Sequence, residues 1–327
     1  FQYNPHVNQI FEWDKTPAKG IVSRWRQFRR LIALFLRLWR NHYEVMFDLS
    51  PTGRYAFVSL VFLWIPVRVG FNFKNRGQFL NRKLELADGY KTKSILEYNL
   101  DLLHFFGLDV ANKQTELFLD EEDRQTVRLL LGQLGFNDDS VYLAVAPGGG
   151  ESWGKDARLK RWPSSHFAGL ILKLRERYGS FFDAVLILGA QGERSLETEL
   201  AEKLEGLRVY NACGLTSLRV AALLLEQALC LLANDGGLVH VAHAMGTPLI
   251  ALYGPVDPLI YRPYPPTSKA LVITNSGPAC RPCYQRFRYQ ADCKGVECLT
   301  ELTPESVLKQ VEATHFFEGL VDRSMAQ

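Results

Sequence analysis

Apolar positions follow two different rhythms along the chain. From residue 141 onward, short runs that are apolar throughout alternate with stretches of helical spacing. Val141 to Ala146, Ala184 to Gly189, Leu229 to Ala233 and Pro248 to Tyr253 read as strands, with a shorter one at Leu207 to Val209. Ser164 to Arg177, Ser217 to Gln227 and Val239 to Met245 carry the spacing of helices. Strands without a polar face, separated by helices, predict a parallel sheet covered on both sides.

The first part of the chain mixes its signals. Tyr43 to Leu49 is a β-prone run that ends in the turn Ser50-Pro51-Thr52-Gly53, and Val67 to Phe71 reads as a strand and turn. Ser94 to Phe106 has helical spacing and is closed by Gly107. Asp120 to Leu134 reads as a helix whose first turn holds Glu121, Glu122 and Asp123, which suits the helix dipole. The polar break from Phe136 to Ser140 marks a boundary. The expected division is 1–138, 139–303 and a last helix, 304–327, packing back on the first domain.

Three strand-to-helix turns can hold an anion, because ligands of open parallel sheets sit at the carboxyl ends of strands. The first is Pro147-Gly148-Gly149-Gly150-Glu151-Ser152, followed by Lys160-Arg161-Trp162-Pro163. Its glycines let backbone N–H groups approach an anion that a lysine neutralises. It is not a Walker loop, because G-x-x-x-x-G-K-[ST] is absent. The second is Gly189-Ala190-Gln191-Gly192-Glu193; its carboxylate either meets ribose hydroxyls or simply opens the next helix. The third is Asn234-Asp235-Gly236-Gly237-Leu238-Val239-His240, where N–H groups at a helix start favour a diphosphate and Asp235 projects towards a sugar hydroxyl. His240 is either a helix histidine or a functional one.

Composition narrows the classes. With 327 residues, 47% hydrophobic and 22% charged, the chain is neither disordered nor collagen-like nor a small disulfide scaffold. A formal charge of +3 does not suggest a nucleic-acid partner. Tyr55 to Val67, the most apolar stretch, is too short for a bilayer and is interrupted by Pro66. No leader is visible at Phe1, and the cysteine usage suits a cytoplasmic protein. The near-neutral total hides one basic segment. Arg24, Arg26, Arg29, Arg30, Arg37 and Arg40 interleave with Trp25, Phe28, Leu31, Ile32, Leu34, Phe35, Leu36, Leu38 and Trp39. This is either a core-facing helix with a solvated Arg face or an element for an anionic membrane surface.

Ala233 to Pro258, ANDGGLVHVAHAMGTPLIALYGPVDP, resembles the signature of glycosyltransferase family 9, the ADP-heptose:lipopolysaccharide heptosyltransferases. Ala146-Pro147-Gly148 through Lys160-Arg161-Trp162-Pro163 is similar to that family's P-G-A…K-R-W-P element, and Gly214-Leu215-Thr216-Ser217-Leu218 to its L-[TS]-x-L helix start. Asn4-Pro5 and Arg68-Val69-Gly70-Phe71 match weaker landmarks. The resemblance implies an α/β, GT-B arrangement of two facing Rossmann-like domains with parallel sheets. It implies a nucleoside-diphosphate sugar donor of the ADP-heptose type and a glycolipid or glycan acceptor. Carried across, Lys160, Gly148 and Gly149 meet the diphosphate, Glu193 the ribose, and Leu215 and Thr216 the base. Asp235 holds the donor sugar, with Gly236, Gly237, Leu238 and His240 around the phosphates. Helix N-termini and a lysine stabilise a departing diphosphate without a metal.

The sequence departs from that pattern in two places. Gly236 stands where the family usually has Thr or Ser, which puts the donor in question. The family's leading Gly-Asp loop, which carries the expected catalytic base, has no counterpart, so that base is expected upstream of Phe1. The reading is therefore an inverting heptosyl or hexosyl transferase acting on lipopolysaccharide core or another surface glycan, peripheral on the inner face of the inner membrane. Its rivals are a transferase with another donor and a protein or glycan acceptor, and a non-catalytic nucleotide-sugar-binding subunit. Separately, Cys280, Cys283, Cys293 and Cys298 form a C-x-x-C pair with two further thiols. They are either ligands of a structural Zn or Fe ion or reduced thiols in a loop.

Overall fold

The computed structural model describes residues 1–13, 20–137, 140–179, 181–204, 206–289, 293 and 295–320. The chain divides into two compact units, Phe1–Ala111 and Asn112–Gln327.

The first unit runs α1 (Ile21–Arg40), β1 (Val45–Asp48), α2 (Arg54–Val61), β2 (Val67–Asn72), β3 (Arg82–Glu85) and α3 (Ile95–Asp101). Its strands form a parallel sheet in the order β1-β2-β3, with Val45 beside Val67 and Val69 beside Arg82. β2 is central, and Val69 and Phe71 are its buried core. Arg68, also on β2, is buried, and its guanidinium donates to the carbonyls of Ile65 at 2.6 Å and Phe79 at 2.7 Å. Ser94 and Glu97 form a capping box that starts α3.

The second unit opens with α4 (Glu121–Gln133), β4 (Tyr142–Ala146), α5 (Ser164–Tyr178), β5 (Ala184–Ile187), α6 (Arg194–Glu202) and β6 (Arg208–Asn211). It continues with α7 (Leu218–Gln227), β7 (Cys230–Asn234), α8 (Gly237–Ala244), β8 (Leu249–Tyr253), α9 (Pro258–Tyr261) and β9 (Ala270–Thr274). A short antiparallel hairpin, β10 (Tyr284–Gln285) and β11 (Arg288–Tyr289), precedes α10 (Glu297–Thr300) and α11 (Pro304–Ala313).

Six parallel strands are ordered β6-β5-β4-β7-β8-β9. Alternate side chains of each strand enter opposite layers. Leu143, Val145, Val185, Ile187 and Leu232 face one, with α5 and α11; Ala144, Leu186, Leu231 and Ala233 face the other, with α7 and α8. That explains the absence of a polar face in these strands. The direction of winding reverses between β4 and β7, which opens a crevice at their carboxyl ends.

The expected strands are present, and β3, β9 and the β10–β11 hairpin appear besides. β3 reads R-K-L-E and carries no apolar run, whereas β9 reads A-L-V-I-T, a short apolar run after a Pro-rich loop that was not anticipated. The unit boundary lies between Ala111 and Asn112, where the polar break had suggested 136–140. The reason is α4, whose Val127 joins Leu223 and Leu224 of α7 in one apolar layer. The last helix, α11, packs along α5, with Val307 and Val311 in the same cluster as Phe167, Leu170 and Leu174. Among the described residues, no helix is long and apolar enough to cross a membrane.

Candidate functional site

Four loops meet at the carboxyl edge of the six-stranded sheet, and one side chain stitches three of them. Asn234 ends β7 and is buried. Its amide donates to the Pro147 carbonyl at 2.6 Å, and its oxygen accepts the Trp162 backbone N–H at 3.0 Å. The Gly-rich loop after β4 and the Lys160-to-Pro163 segment are thereby fixed against β7. Trp162 is itself anchored, its indole N–H donating to the Leu302 carbonyl at 2.7 Å.

This anchoring places Lys160 beside Asp235. Nζ lies 2.6 Å from Oδ2, and both side chains are almost fully enclosed, at 4% and 7% exposure. Two opposite charges out of water stabilise each other strongly, but each also lost its hydration, so removing one partner strands the other. Tyr253, at the end of β8, is fully buried, and its hydroxyl donates to the Tyr261 carbonyl at 3.0 Å. Its phenol is held well above the ordinary value, first by burial and then by the Asp235 carboxylate, so it stays neutral.

Glu193 ties the second turn to the first. Its Oε1 accepts the Gly150 N–H and its Oε2 the Ala190 N–H, each at 3.0 Å. A Cβ at Gly148 would lie 2.1 Å from Oε1, so only glycine lets the carboxylate approach that loop. Glu193 is thus the clamp between two loops, and a ribose would have to use its remaining lone pairs. A Cβ at Gly149 would collide with the Ala157 carbonyl at 2.1 Å, a second close approach that shapes the same loop. Leu215 is exposed next to the half-buried Thr216, just before Ser217, which caps α7 by accepting the Val220 N–H.

The third turn enters α8 directly. Gly236 is its N-cap in an extended conformation, without a side-chain cap, and Gly237 opens the helix with nothing within 4 Å of its missing Cβ. The start of α8 therefore leaves room for an anion against its N–H groups. His240, one turn into the helix, is exposed; its pKa is lowered, mainly by desolvation of the ring, against the opposing pull of Asp235. His243 is buried at the other end of α8. Its Nε2 donates to the Pro265 carbonyl at 2.9 Å, and desolvation lowers its pKa. These facts describe a neutral histidine that ties α8 to the loop after α9.

The sequence-predicted loop residues Gly148, Gly149, Lys160, Glu193, Asp235, Gly236, Gly237, Leu238 and His240 all lie along this edge of one sheet. Asn234 and Tyr253 were not anticipated. Asn234 is the first residue of the N-D-G-G turn, and an amide at a strand end beside two Gly-rich loops is the signal that would have found it. The 284–289 hairpin also reaches the site. Tyr289 is raised in pKa by burial first, and then by Asp156 and, more weakly, Asp235.

The cysteines behave differently. Cys280 is exposed, Cys293 half-buried, and Cys283 and Cys298 buried. Burial, and then the neighbouring thiols, raise the pKa of Cys283; burial alone dominates at Cys298, pushed up to about 11. Among the described residues, no group of three or more His, Cys, Asp or Glu side chains is placed to hold a metal ion. The four-thiol set expected from the spacing is not gathered as a ligand group among these residues. The loop is organised by the Cys283 backbone N–H on the Pro255 carbonyl and by Arg281, whose guanidinium spans the Gly254 and Asn275 carbonyls.

The family model of glycosyltransferase family 9 (heptosyltransferase) matches residues 31–290. The chain belongs to glycosyltransferase family 9. It is 28% identical over 166 residues to lipopolysaccharide heptosyltransferase 2 of Salmonella typhimurium, a stretch covering 49% of this chain and 44% of that protein. The alignment thus spans less than half the length of that relative. Two solved structures share the fold of this family 9 chain. A glycosyl transferase family 9 protein from Veillonella parvula superposes with a TM-score of 0.71 at 21% identity, over 96% of this chain and 84% of that one. The E. coli ADP-heptose lipopolysaccharide heptosyltransferase II gives 0.62 at 22% identity, over 90% and 82%. The α/β fold with parallel sheets is that of the GT-B heptosyltransferases.

Proposed function

We propose that this family 9 chain moves a heptose or a related sugar from a nucleoside-diphosphate sugar of the ADP-heptose type to a lipopolysaccharide core or another surface glycan. The buried Lys160–Asp235 pair at the sheet's switch point carries this reading. A diphosphate laid against the start of α8 meets N–H donors there and competes with Asp235 for the Lys160 ammonium. Asp235, so released, accepts hydrogen bonds from the hydroxyls of the donor sugar. As the glycosidic bond breaks, charge builds on the leaving diphosphate, and the lysine and helix start stabilise it without a resident metal. Attack by an acceptor hydroxyl from the opposite face gives inversion, its proton passing to a general base that is not among the residues assigned to this crevice. Glu193 keeps the ribose side of the crevice shaped, and Leu215 with Thr216 offers an apolar edge for the base. The names of the similar proteins, heptosyltransferases of lipopolysaccharide, support this donor and acceptor. A cytoplasmic place on the inner face of the inner membrane fits such an acceptor.

Gly236 favours a second reading of the donor, since the hydroxyl usual at this place is absent. Calorimetry with ADP and with other nucleoside diphosphates separates the two. Release of nucleoside diphosphate on adding acceptor tests transfer itself. Asp235→Asn is expected to lower turnover at least ~100-fold, because one charge that faces the transition state is lost, and also to lower the unfolding midpoint, because Lys160 is left buried and unpaired; turnover is therefore read well below that midpoint. Turnover equal to the parent would remove Asp235 from the reaction. Binding of ADP-heptose without any release in the parent would make the chain a binding subunit.

A further inference from the structure

Helix α1 presents a surface that the transfer reading does not use. Its half-buried side carries Gln27, Leu31, Leu34, Phe35 and Leu38, and Phe35 meets Phe62, just beyond α2, at a ring distance of 5.8 Å. That side accounts for the helix's attachment to the first unit. A second apolar stripe, Trp25, Phe28, Ile32, Leu36 and Trp39, is exposed; Trp25 is 62% and Leu36 53% open to solvent. The spacing of three and four residues puts these five side chains in one line, about 21 Å long at 1.5 Å per residue.

The charge beside the stripe has one sign. Six arginines stand on α1 and no Asp or Glu. At 100° per residue, Arg26, Arg29, Arg30, Arg37 and Arg40 fall on the arc next to the apolar stripe. Arg26, Arg29 and Arg30, with Trp25 and Ala33, line a recess of about 470 Å³, which is large enough for a phosphate headgroup.

We propose that α1 lies in the plane of an anionic lipid bilayer surface, its Trp25-to-Trp39 stripe in the acyl boundary and its arginines on lipid phosphates. A helix of this length with one apolar face, Arg on the adjoining arc and no carboxylate matches an interfacial helix. Indole rings at both ends of the stripe suit the boundary between headgroups and chains, where tryptophan concentrates. Guanidinium groups pair with phosphate in bidentate geometry and lose little on partial dehydration. A second copy of the chain fits this face poorly, since apposed helices would bring twelve like charges together, six from each. Phe62 and Trp64, just beyond α2, are exposed as well.

Flotation of the full chain with vesicles tests this, using phosphatidylglycerol-rich vesicles against phosphatidylcholine alone. The parent is expected to float with the anionic vesicles at least about tenfold more than with the zwitterionic ones, and to be released as salt shortens the Debye length. Arg29→Glu with Arg30→Glu is expected to lower anionic recovery by about tenfold or more, since each basic residue near the surface adds roughly a further factor of five. Trp25→Ser with Trp39→Ser is expected to lower recovery on the same vesicles while its thermal unfolding matches the parent. Equal recovery on both vesicle types, or Arg-pair recovery equal to the parent, overturns the proposal. So does a concentration-dependent dimer that the Trp pair abolishes. ADP binding, measured separately on the same proteins, reports on the donor site and leaves this test unaffected.

Discussion

The two sheets are built to different standards of enclosure. In the second unit every residue of β4, β5, β7 and β8 is buried. In the first, only β2 approaches that, while β1 and β3 leave much of their length open. The six-stranded sheet, enclosed in its four central strands and open at its edges β6 and β9, carries loops whose polar groups are cross-tied: Asn234 to two loops, Glu193 to two turns, Lys160 to Asp235. The open sheet carries its chemistry on a surface helix. Precise placement of a charged ligand needs side chains held by packing and hydrogen bonds, whereas a diffuse anionic surface needs only sign and exposure.

The buried cations of the two units offer the largest test of that difference. Lys160 is paired with a carboxylate, while Arg68 is seen donating to backbone carbonyls. Lys160→Met strands the Asp235 charge and is expected to cost about 3–5 kcal/mol in urea unfolding, along with donor binding. Arg68→Met leaves only neutral acceptors short of donors and is expected to cost about 1–3 kcal/mol per the usual penalty for such groups, without touching donor affinity. Equal losses would mean that the pair in the second unit is no more deeply committed than the carbonyl-bound Arg68 of the first.

Much of this was legible in the residues themselves. The uninterrupted apolar runs Val141–Ala146, Ala184–Leu188 and Leu229–Ala233 specify buried parallel strands, because no residue in them could face water cheaply. The G-rich turns and Lys160 were readable because backbone approach and charge neutralisation restrict the residue types that serve. What escaped was set by tertiary contact. Asn234 looks like an ordinary turn residue until its amide is found spanning two loops. Glu193 suggested a ribose contact, but its burial against Gly148 makes it a clamp first. Four cysteines at knuckle-like spacing suggested a metal, yet spacing says nothing of where the intervening loop sends each thiol.

The glycines sharpen the contrast within the second unit. Gly148→Ala pushes a methyl into the Glu193 carboxylate and is expected to cost about 1–3 kcal/mol, as overpacking does, with weaker nucleotide binding as the loops part. Gly237→Ala meets nothing and is expected to be neutral or to stabilise by up to about 1 kcal/mol, since alanine suits a helix better. If both behave alike in urea titrations, the Gly148 approach is not a constraint.

A smaller effect is expected from pH. Desolvation lowers the pKa of His243, so the folded chain binds this proton less readily than the unfolded one. Stability is then full above the ordinary value of 6.5, and it falls as pH drops from there towards the lowered folded value. His240, shifted the same way, adds to the slope. His243→Gln keeps a donor for the Pro265 carbonyl and should flatten the urea midpoint against pH between neutrality and pH ~5, where histidine titrates. An unchanged slope would assign the acid sensitivity to other groups.

The smallest effect concerns the start of α8. Gly236 caps this helix with no side chain, in an extended conformation that any residue adopts, and the nearest atom to a Cβ there is the Asn234 carbonyl at 3.7 Å. Serine fits that space. Its hydroxyl oxygen can accept the Val239 N–H as a cap, worth a few tenths of a kcal/mol over glycine by the usual ranking of caps. The same hydroxyl keeps its proton to donate to a phosphate, and a hydrogen bond to a charged acceptor adds up to about 1.5 kcal/mol, roughly tenfold in affinity. Gly236→Ser is therefore expected to raise the unfolding midpoint slightly and to tighten ADP binding by about threefold to tenfold, read by calorimetry. A gain in stability without a gain in affinity would show that the helix is capped but the diphosphate lies elsewhere along the crevice. The donor would then be oriented by Lys160 and the Gly-rich loop alone, with the open space at Gly236 left for a bulkier group of the sugar.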